Sequence, residues 1–331
     1  MALALRSTRP VRPATSRARP TSGSNRPVTL PGSRLGPKPV SRSLASQRRP
    51  RYEFQIGRST FRFYHGDCLS VLPALERGSI DAIVTSPPYN IGIKYRTYED
   101  DLPRGEYLAW TDQWLRAASR VCRPQASLFL NVGAKPTDPW IPLEVAQVAR
   151  HCFKLQNTIH WVKSIAIDRE STSGALGLER DVAVGHYKPI NSERFVNDCH
   201  EFIFHFTPTG RTPLDRRAVG VPYQDKSNAA RWATGGDGKR CRGNTWFIPY
   251  ETIQSRDRDR PHPASFPAKI PEQCFRLHGL SRLTTVLDPF LGLGNTAIAA
   301  GRLGLNFVGV ELDEHYLAEA VSRVKEALDP K

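Results

Sequence analysis

From Tyr52 the chain alternates apolar and polar positions. Tyr52-Glu53-Phe54-Gln55-Ile56 and Phe61-Arg62-Phe63-Tyr64 flank Gly57-Arg58-Ser59, a period-two pattern around a turn that predicts a β-hairpin. The second strand ends at His65-Gly66-Asp67. A short helix over Leu69–Leu75 and a Gly78-Ser79 turn then lead into the continuous apolar run Ile80-Asp81-Ala82-Ile83-Val84. Strand, helix and strand in that order form a βαβ unit, which favours a parallel sheet. After a polar loop, Asn90 to Arg104, the spacing predicts a helix over 106–120 and a strand over 126–132. A helix near 141–152 and a strand near 156–162 follow.

Residues 164–260 break this rhythm. They are polar and rich in Gly, Arg and Asp, with one clear strand at 201–206. A structureless loop of that length is unfavourable in a compact domain, so the stretch is expected to be an inserted lobe. Order resumes with a helix over 270–280 and a strand over 284–287. A glycine loop, a helix over 295–303, a strand over 306–311 and a final helix to about 328 complete the chain.

Composition changes this picture mainly at the N-terminus. The 331 residues carry 47 Lys and Arg against 32 Asp and Glu, a net charge of +15. Residues 1–50 hold eleven of those bases and no acid, which leaves only +4 for the rest. The basic balance alone is therefore weak evidence for a polyanionic partner. The tail is rich in Arg, Pro, Ser and Gly and is expected to be disordered, because it has too little apolar surface to offset its ordering entropy. It reads as a solvated segment, as a source of non-specific phosphate contacts, or as an organelle transit peptide. A cytoplasmic location is expected, with an organelle as the alternative if the transit reading holds.

The six cysteines stand at least thirty residues apart, and no Cys/His pair has zinc-ligand spacing, so reduced thiols and no metal are expected. No apolar run approaches the ~20 residues of a bilayer span.

Two segments carry chemistry. Thr285-Val286-Leu287 is a buried-strand run closed by Asp288-Pro289-Phe290, after which Gly292 and Gly294 permit close backbone approach to a ligand. Asn295-Thr296 begins the next helix, and the following strand ends at Glu311, placed to accept from ribose hydroxyls. The other segment is Ser86-Pro87-Pro88-Tyr89, at the end of the 80–84 strand. The exocyclic amine of cytosine or adenine is a poor nucleophile because its lone pair is delocalised into the ring. Acceptors around its two N–H groups, here Ser86 Oγ and the Pro87 carbonyl, draw the nitrogen toward sp³ character. The paired prolines keep those acceptors rigid, and Tyr89 offers a face for a base taken out of the duplex. A Pro-Pro turn with a packed tyrosine explains the same residue types about as well. The position at a parallel-strand end favours the chemical reading.

Together these residues resemble an amino-methylating DNA methyltransferase of the β subclass, in which the catalytic motif precedes the cofactor motif. Ser86 to Tyr89 matches the family's target-base motif, Phe290-Leu291-Gly292-Leu293-Gly294 its FxGxG motif, and Glu311 its ribose ligand. Asp67 matches its acid near the cofactor adenine, and His262-Pro263-Ala264-Ser265-Phe266-Pro267 the start of its cofactor helix, which adds His262 and Phe266 to the site. Leu293 stands where the family often has serine.

The resemblance implies an α/β fold with a mainly parallel, seven-stranded, Rossmann-like sheet in circularly permuted order. It also implies S-adenosylmethionine as cofactor and duplex DNA as partner, with a companion restriction endonuclease and the choice of monomer or homodimer left open. The expected division is 1–50 tail, 51–163 target-base half, 164–260 recognition lobe and 261–331 cofactor half. In the lobe, Arg231, Trp232, Lys239, Arg240, Arg242 and Trp246 are candidate DNA contacts, although a solvated charged surface accounts for them equally. Ser86 in the first motif position, with the His262-Pro263-Ala264-Ser265-Phe266-Pro267 form of the cofactor helix, resembles cytosine-N4 enzymes more than adenine-N6 enzymes, which remain the alternative. Cytosine-C5 chemistry is disfavoured because no Pro-Cys pair supplies its thiolate. An RNA methyltransferase and a catalytically silent DNA-binding module are the remaining readings.

Overall fold

In the computed structural model, residues 49–170, 179–185, 192–223, 238–249 and 265–329 are described. The tail expected over 1–50 lies almost wholly outside them, as do Arg231, Trp232 and His262.

The hairpin forms as its alternation predicts. β1 (Tyr52–Ile56) pairs antiparallel with β2 (Ser59–His65), and Gly57 at φ 57° makes the turn. Phe54 stacks on Phe61 and Phe63 at 5.3 and 5.6 Å between ring centroids. α1 (Cys68–Val71) starts at Asp67, whose side chain caps the Leu69 amide, and a 3-10 turn leads on to β3 (Ile80–Thr85). Every residue of β3 is buried, because helices cover both faces of the sheet at its centre. α2 (Arg104–Val121), β4 (Cys122–Val132), α3 (Ile141–Ala149) and β5 (Lys154–Val162) follow.

β6 (Ile165–Ile167) and β7 (Val182–Val184) pair only with each other. β8 (His200–Thr207) returns to the main sheet. β9 (Val221–Pro222) and β10 (Lys239–Arg240) form a second small ribbon, and β11 (Thr245–Phe247) rejoins the sheet at its edge. The chain closes with α4 (Lys269–His278), β12 (Thr285–Asp288), α5 (Asn295–Arg302), β13 (Asn306–Glu311) and α6 (Glu314–Leu328).

The sheet has nine strands in the order β1-β2-β13-β12-β3-β4-β8-β5-β11. The seven expected strands are present, and β1 and β11 extend the two edges. Pairing is parallel from β2 to β4, while β8 runs antiparallel to both β4 and β5. The division that set 164–260 apart as an insert needs correction. β8 fills the gap between β4 and β5, and β11 pairs parallel with β5. Phe204 and Phe206 of β8 are buried in the core, which an autonomous lobe would not share.

Two apolar layers sandwich the sheet. α4, α5 and α6 bury Ile270, Phe275, Ile298, Leu317 and Val324 on one face. α1, α2 and α3 bury Val71, Tyr107, Trp114, Leu115 and Val145 on the other. Among the described residues, no helix is long and apolar enough to cross a membrane.

Candidate active site

β12 and β3 are adjacent parallel strands, with Leu287 opposite Ile83. This pairing brings together two motifs some two hundred residues apart, because both strands end at the same edge of the sheet. One cleft, with an empty volume of about 1040 Å³ opening to solvent, is lined by Ser86, Pro87 and Pro88 and also by Asp67, Asp288, Phe290, Gly292 and Glu311. Phe266, Asn295 and Thr296 line it too.

On the glycine-loop side, Asp288 is buried. Its carboxylate accepts from Thr85 Oγ1 at 2.7 Å, Thr296 Oγ1 at 2.7 Å and the Phe290 amide at 3.0 Å. Burial outweighs these bonds and pushes its carboxyl up to about 7. Glu311, at the end of β13, accepts from the amides of Gly292 (2.8 Å) and Asp313 (3.0 Å), and burial pushes it up to about 7 as well. Gly292 takes φ 52°, which favours glycine, and exposes the loop to the cleft.

Gly294 does something else. It is buried at φ 79°, and a Cβ there would meet Ala320 at 3.2 Å and Val324 at 3.3 Å, so the second glycine allows α5 to pack on α6. Asn295 ties the loop to the segment before α4, its Nδ2 donating to the Phe266 carbonyl at 2.6 Å. Phe290 packs edge-on against Trp114 and Trp110, with centroids 5.2 and 5.6 Å away.

On the other side, Pro87 is buried and the Pro88 carbonyl accepts from Tyr107 Oη at 2.9 Å, which braces the turn against α2. Ser86 Oγ lies 2.6 Å from Tyr89 Oη. Tyr89 Oη also contacts Glu201 Oε2 at 3.1 Å and Asn131 Nδ2 at 2.5 Å. Glu201 in turn pairs with Lys163 Nζ at 3.0 Å. Asn131, Glu201 and Lys163 come from β4, β8 and the residue after β5, and sequence reasoning missed all three. No local pattern announces them, because antiparallel insertion of β8 is what places Glu201 beside Tyr89.

The loop after Tyr89 supplies a further missed wall. Tyr95, Thr97 and Tyr98 line the cleft, together with Trp110. The Asp100 carboxylate gathers the amides of Asn90, Ile91 and Ile93 at 2.7–3.1 Å and folds this loop inward. Two tyrosines in a polar loop were the available signal.

The candidate DNA contacts separate. Lys239 and Arg240 are exposed on β10, and Arg242 is partly buried, its Nε donating to the Val219 carbonyl at 3.0 Å. Trp246 is a correction: at 1 % exposure it belongs to the core beneath β11, with Nε1 bonded to the Gly243 carbonyl, and presents no face to a base. Among the described residues, no group of three His, Cys, Asp or Glu is arranged to hold a metal ion.

The chain is similar to known proteins over most of its length. The type II methyltransferase M.ScaI of Streptomyces caespitosus is 27 % identical over 285 residues, covering 84 % of each chain. In solved structures the fold matches PvuII DNA methyltransferase (cytosine-N4-specific) with a TM-score of 0.56 at 18 % identity, over 85 % of this chain and 94 % of that one. It also matches a DNA modification methylase of Thermus thermophilus, TTHA0409, complexed with S-adenosyl-L-methionine, with a TM-score of 0.52 at 24 % identity over 82 % and 96 %. The N6/N4 DNA methylase family model matches residues 80–322, which is well over half the chain. A cleft that joins Ser86, Pro87 and Pro88 to the glycine loop, with Tyr89 outside its lining, thus stands within a matching family sequence: the chain belongs to the N6/N4 DNA methylase family.

Proposed function

We propose that the chain transfers a methyl group from S-adenosylmethionine to the N4 amine of cytosine in duplex DNA, at a specific site. The observation that carries this reading is the shared cleft. An amine held at Ser86 and a methyl donor held by the glycine loop meet with no domain movement.

The residues present suit the donor. Glu311 carries a carboxyl that burial raises to about 7, and a ribose diol would supply the donors that stabilise its ionised form. The walls formed by Tyr95, Tyr98, Trp110, Phe266 and Phe290 offer apolar surface for a purine. When bound, S-adenosylmethionine supplies an electrophilic sulfonium methyl. The protein's part is orientation. Ser86 Oγ and the Pro87 carbonyl take the two amine protons as hydrogen bonds, and Tyr107 holds the turn rigid through Pro88. Tyr89 is pinned at its hydroxyl end, so its ring keeps a constant attitude for stacking.

Cytosine N4 rather than adenine N6 rests on Ser86 in the first motif position. The specificity printed for the PvuII enzyme is that protein's own, and at 18 % identity it supports the fold alone.

The test is methyl transfer from labelled S-adenosylmethionine to mixed-sequence duplex DNA, followed by nucleoside mass spectrometry. N4-methylcytosine is the expected product. N6-methyladenine would keep amine methylation and overturn the base, and methylation of RNA in preference to DNA would overturn the substrate.

A further inference from the structure

We infer that Glu201 is a positioning residue for methyl transfer, acting through Tyr89 to keep the Ser86 hydroxyl turned as a hydrogen-bond acceptor toward the target amine. The inference rests on the amine-methylation reading and extends it to a side chain on β8, outside the Ser86–Tyr89 turn.

It follows from counting donors. Glu201 is largely buried, its side chain 12 % exposed, and one of its oxygens is held by Lys163 Nζ at 3.0 Å. A carboxylate paired with an ammonium only accepts. Tyr89 Oη, 3.1 Å from the other oxygen, must therefore donate its single proton to Glu201. Asn131 Nδ2 stands 2.6 Å from that oxygen and 2.5 Å from Tyr89 Oη. Only the amide nitrogen suits that position, because an amide oxygen there would face the carboxylate. Tyr89 Oη thus has its proton committed and one lone pair taken. Its contact with Ser86 Oγ, at 2.6 Å, is satisfied only if Ser86 donates to it.

The consequence reaches the cleft. With its proton directed at Tyr89, Ser86 presents lone pairs elsewhere, and an acceptor is what the N–H of an exocyclic amine requires. Were the polarity reversed, Tyr89 would donate to Ser86, occupying one of its lone pairs and freeing its proton to turn toward an amine that must itself donate. Gly133 keeps the arrangement close. A Cβ there would lie 3.0 Å from the Tyr89 ring and 3.1 Å from Glu201.

Glu201→Gln separates polarity from shape. Lys163 can only donate, so the Gln carbonyl oxygen turns to it and an amide N–H faces Tyr89 and Asn131, and Tyr89 loses the charged acceptor that commits its proton. The experiment is single-turnover methyl transfer with saturating S-adenosylmethionine and duplex DNA, in the full-length chain and in a Ser86→Ala background. Glu201→Gln is expected to slow transfer by about tenfold or more while leaving the S-adenosylmethionine Kd within about twofold. In the Ser86→Ala background the same substitution is expected to cost nothing further, because the group it acts through is gone.

A Glu201→Gln rate within about twofold of the parent overturns the inference, and so does an equal loss in both backgrounds, which marks a purely structural role. If Glu201→Gln melts too low to assay, Tyr89→Phe cuts the same chain by one oxygen and is held to the same two criteria. A parent chain that methylates no nucleoside overturns both this inference and the function it rests on. Methylation by the parent with an indifferent Glu201→Gln overturns this inference alone.

Discussion

Thr85 and Asp288, 203 positions apart, share a buried 2.7 Å hydrogen bond between the ends of adjacent parallel strands. The residue after Thr85 is Ser86, and the loop after Asp288 holds the residues proposed to bind the cofactor. This bond therefore ties together the two halves of the cleft that the strand pairing brings side by side. Thr85→Val removes a donor from a buried carboxylate and is expected to cost about 1–3 kcal/mol in urea denaturation. It should also slow methyl transfer more than it weakens binding of either ligand. A stability change with the transfer rate intact would show that the bond serves the sheet alone.

Asp288 also predicts a pH dependence. Burial raises its carboxyl to about 7 in the folded chain, so below that pH the native state holds a proton that the unfolded state, with a carboxyl near ~4, has released. The sign follows: this group's contribution becomes less favourable as pH rises from about 4 through 7, and is level above that. Asp288→Asn removes the titration. Urea midpoints measured from pH 5 to 8 should show the parent losing ground to the variant by on the order of 1–3 kcal/mol. A gap that does not change with pH would contradict this.

Glu311 should make donor binding pH-dependent in the opposite sense. With Glu311 accepting from the ribose hydroxyls, as we propose, its ionised form is stabilised, so binding at pH 7 should release roughly half a proton and affinity should improve by about tenfold between pH 6 and 8. Calorimetry in two buffers of different ionisation enthalpy reads the proton directly. Glu311→Gln should weaken S-adenosylmethionine binding and abolish the pH trend. Persistence of the trend in that variant would assign it elsewhere.

Ser86→Ala separates chemistry from cofactor binding. It should remove most turnover, by about a hundredfold or more, with the S-adenosylmethionine Kd unchanged, whereas Glu311→Ala should raise that Kd. Equal loss of cofactor affinity in both would refute this division of roles.

Trp246 and Lys239 divide structure from recognition. Trp246→Ala empties a core site and should cost about 3–5 kcal/mol. Lys239 and Arg240 are exposed, and replacing both with Ala should leave stability within about 0.5 kcal/mol. As candidate phosphate contacts, they should also carry salt dependence, and the double variant should lower that of DNA binding by about two counterions. An unchanged salt slope would remove them from the interface.

What the sequence determined by itself was everything encoded in short range. The Phe54/Phe61 hairpin, the buried run of β3 and the Asp288–Asn295 loop each declare themselves within a dozen residues, through side-chain period and glycine placement. The order of the motifs then identified the family, because order is a property of the chain alone. Only the tertiary structure decided what depends on register between distant strands. A polar, glycine-rich setting hid the membership of β8 and β11 in the sheet, since strand pairing is settled by partners dozens of residues away. The same pairing turned Trp246 from a surface aromatic into core and gave Gly294 a packing role against α6. It also brought Asn131 and Glu201 to one tyrosine hydroxyl and Lys163 to Glu201. A hydrogen-bond network across three strands has no period, so no local pattern can foretell it.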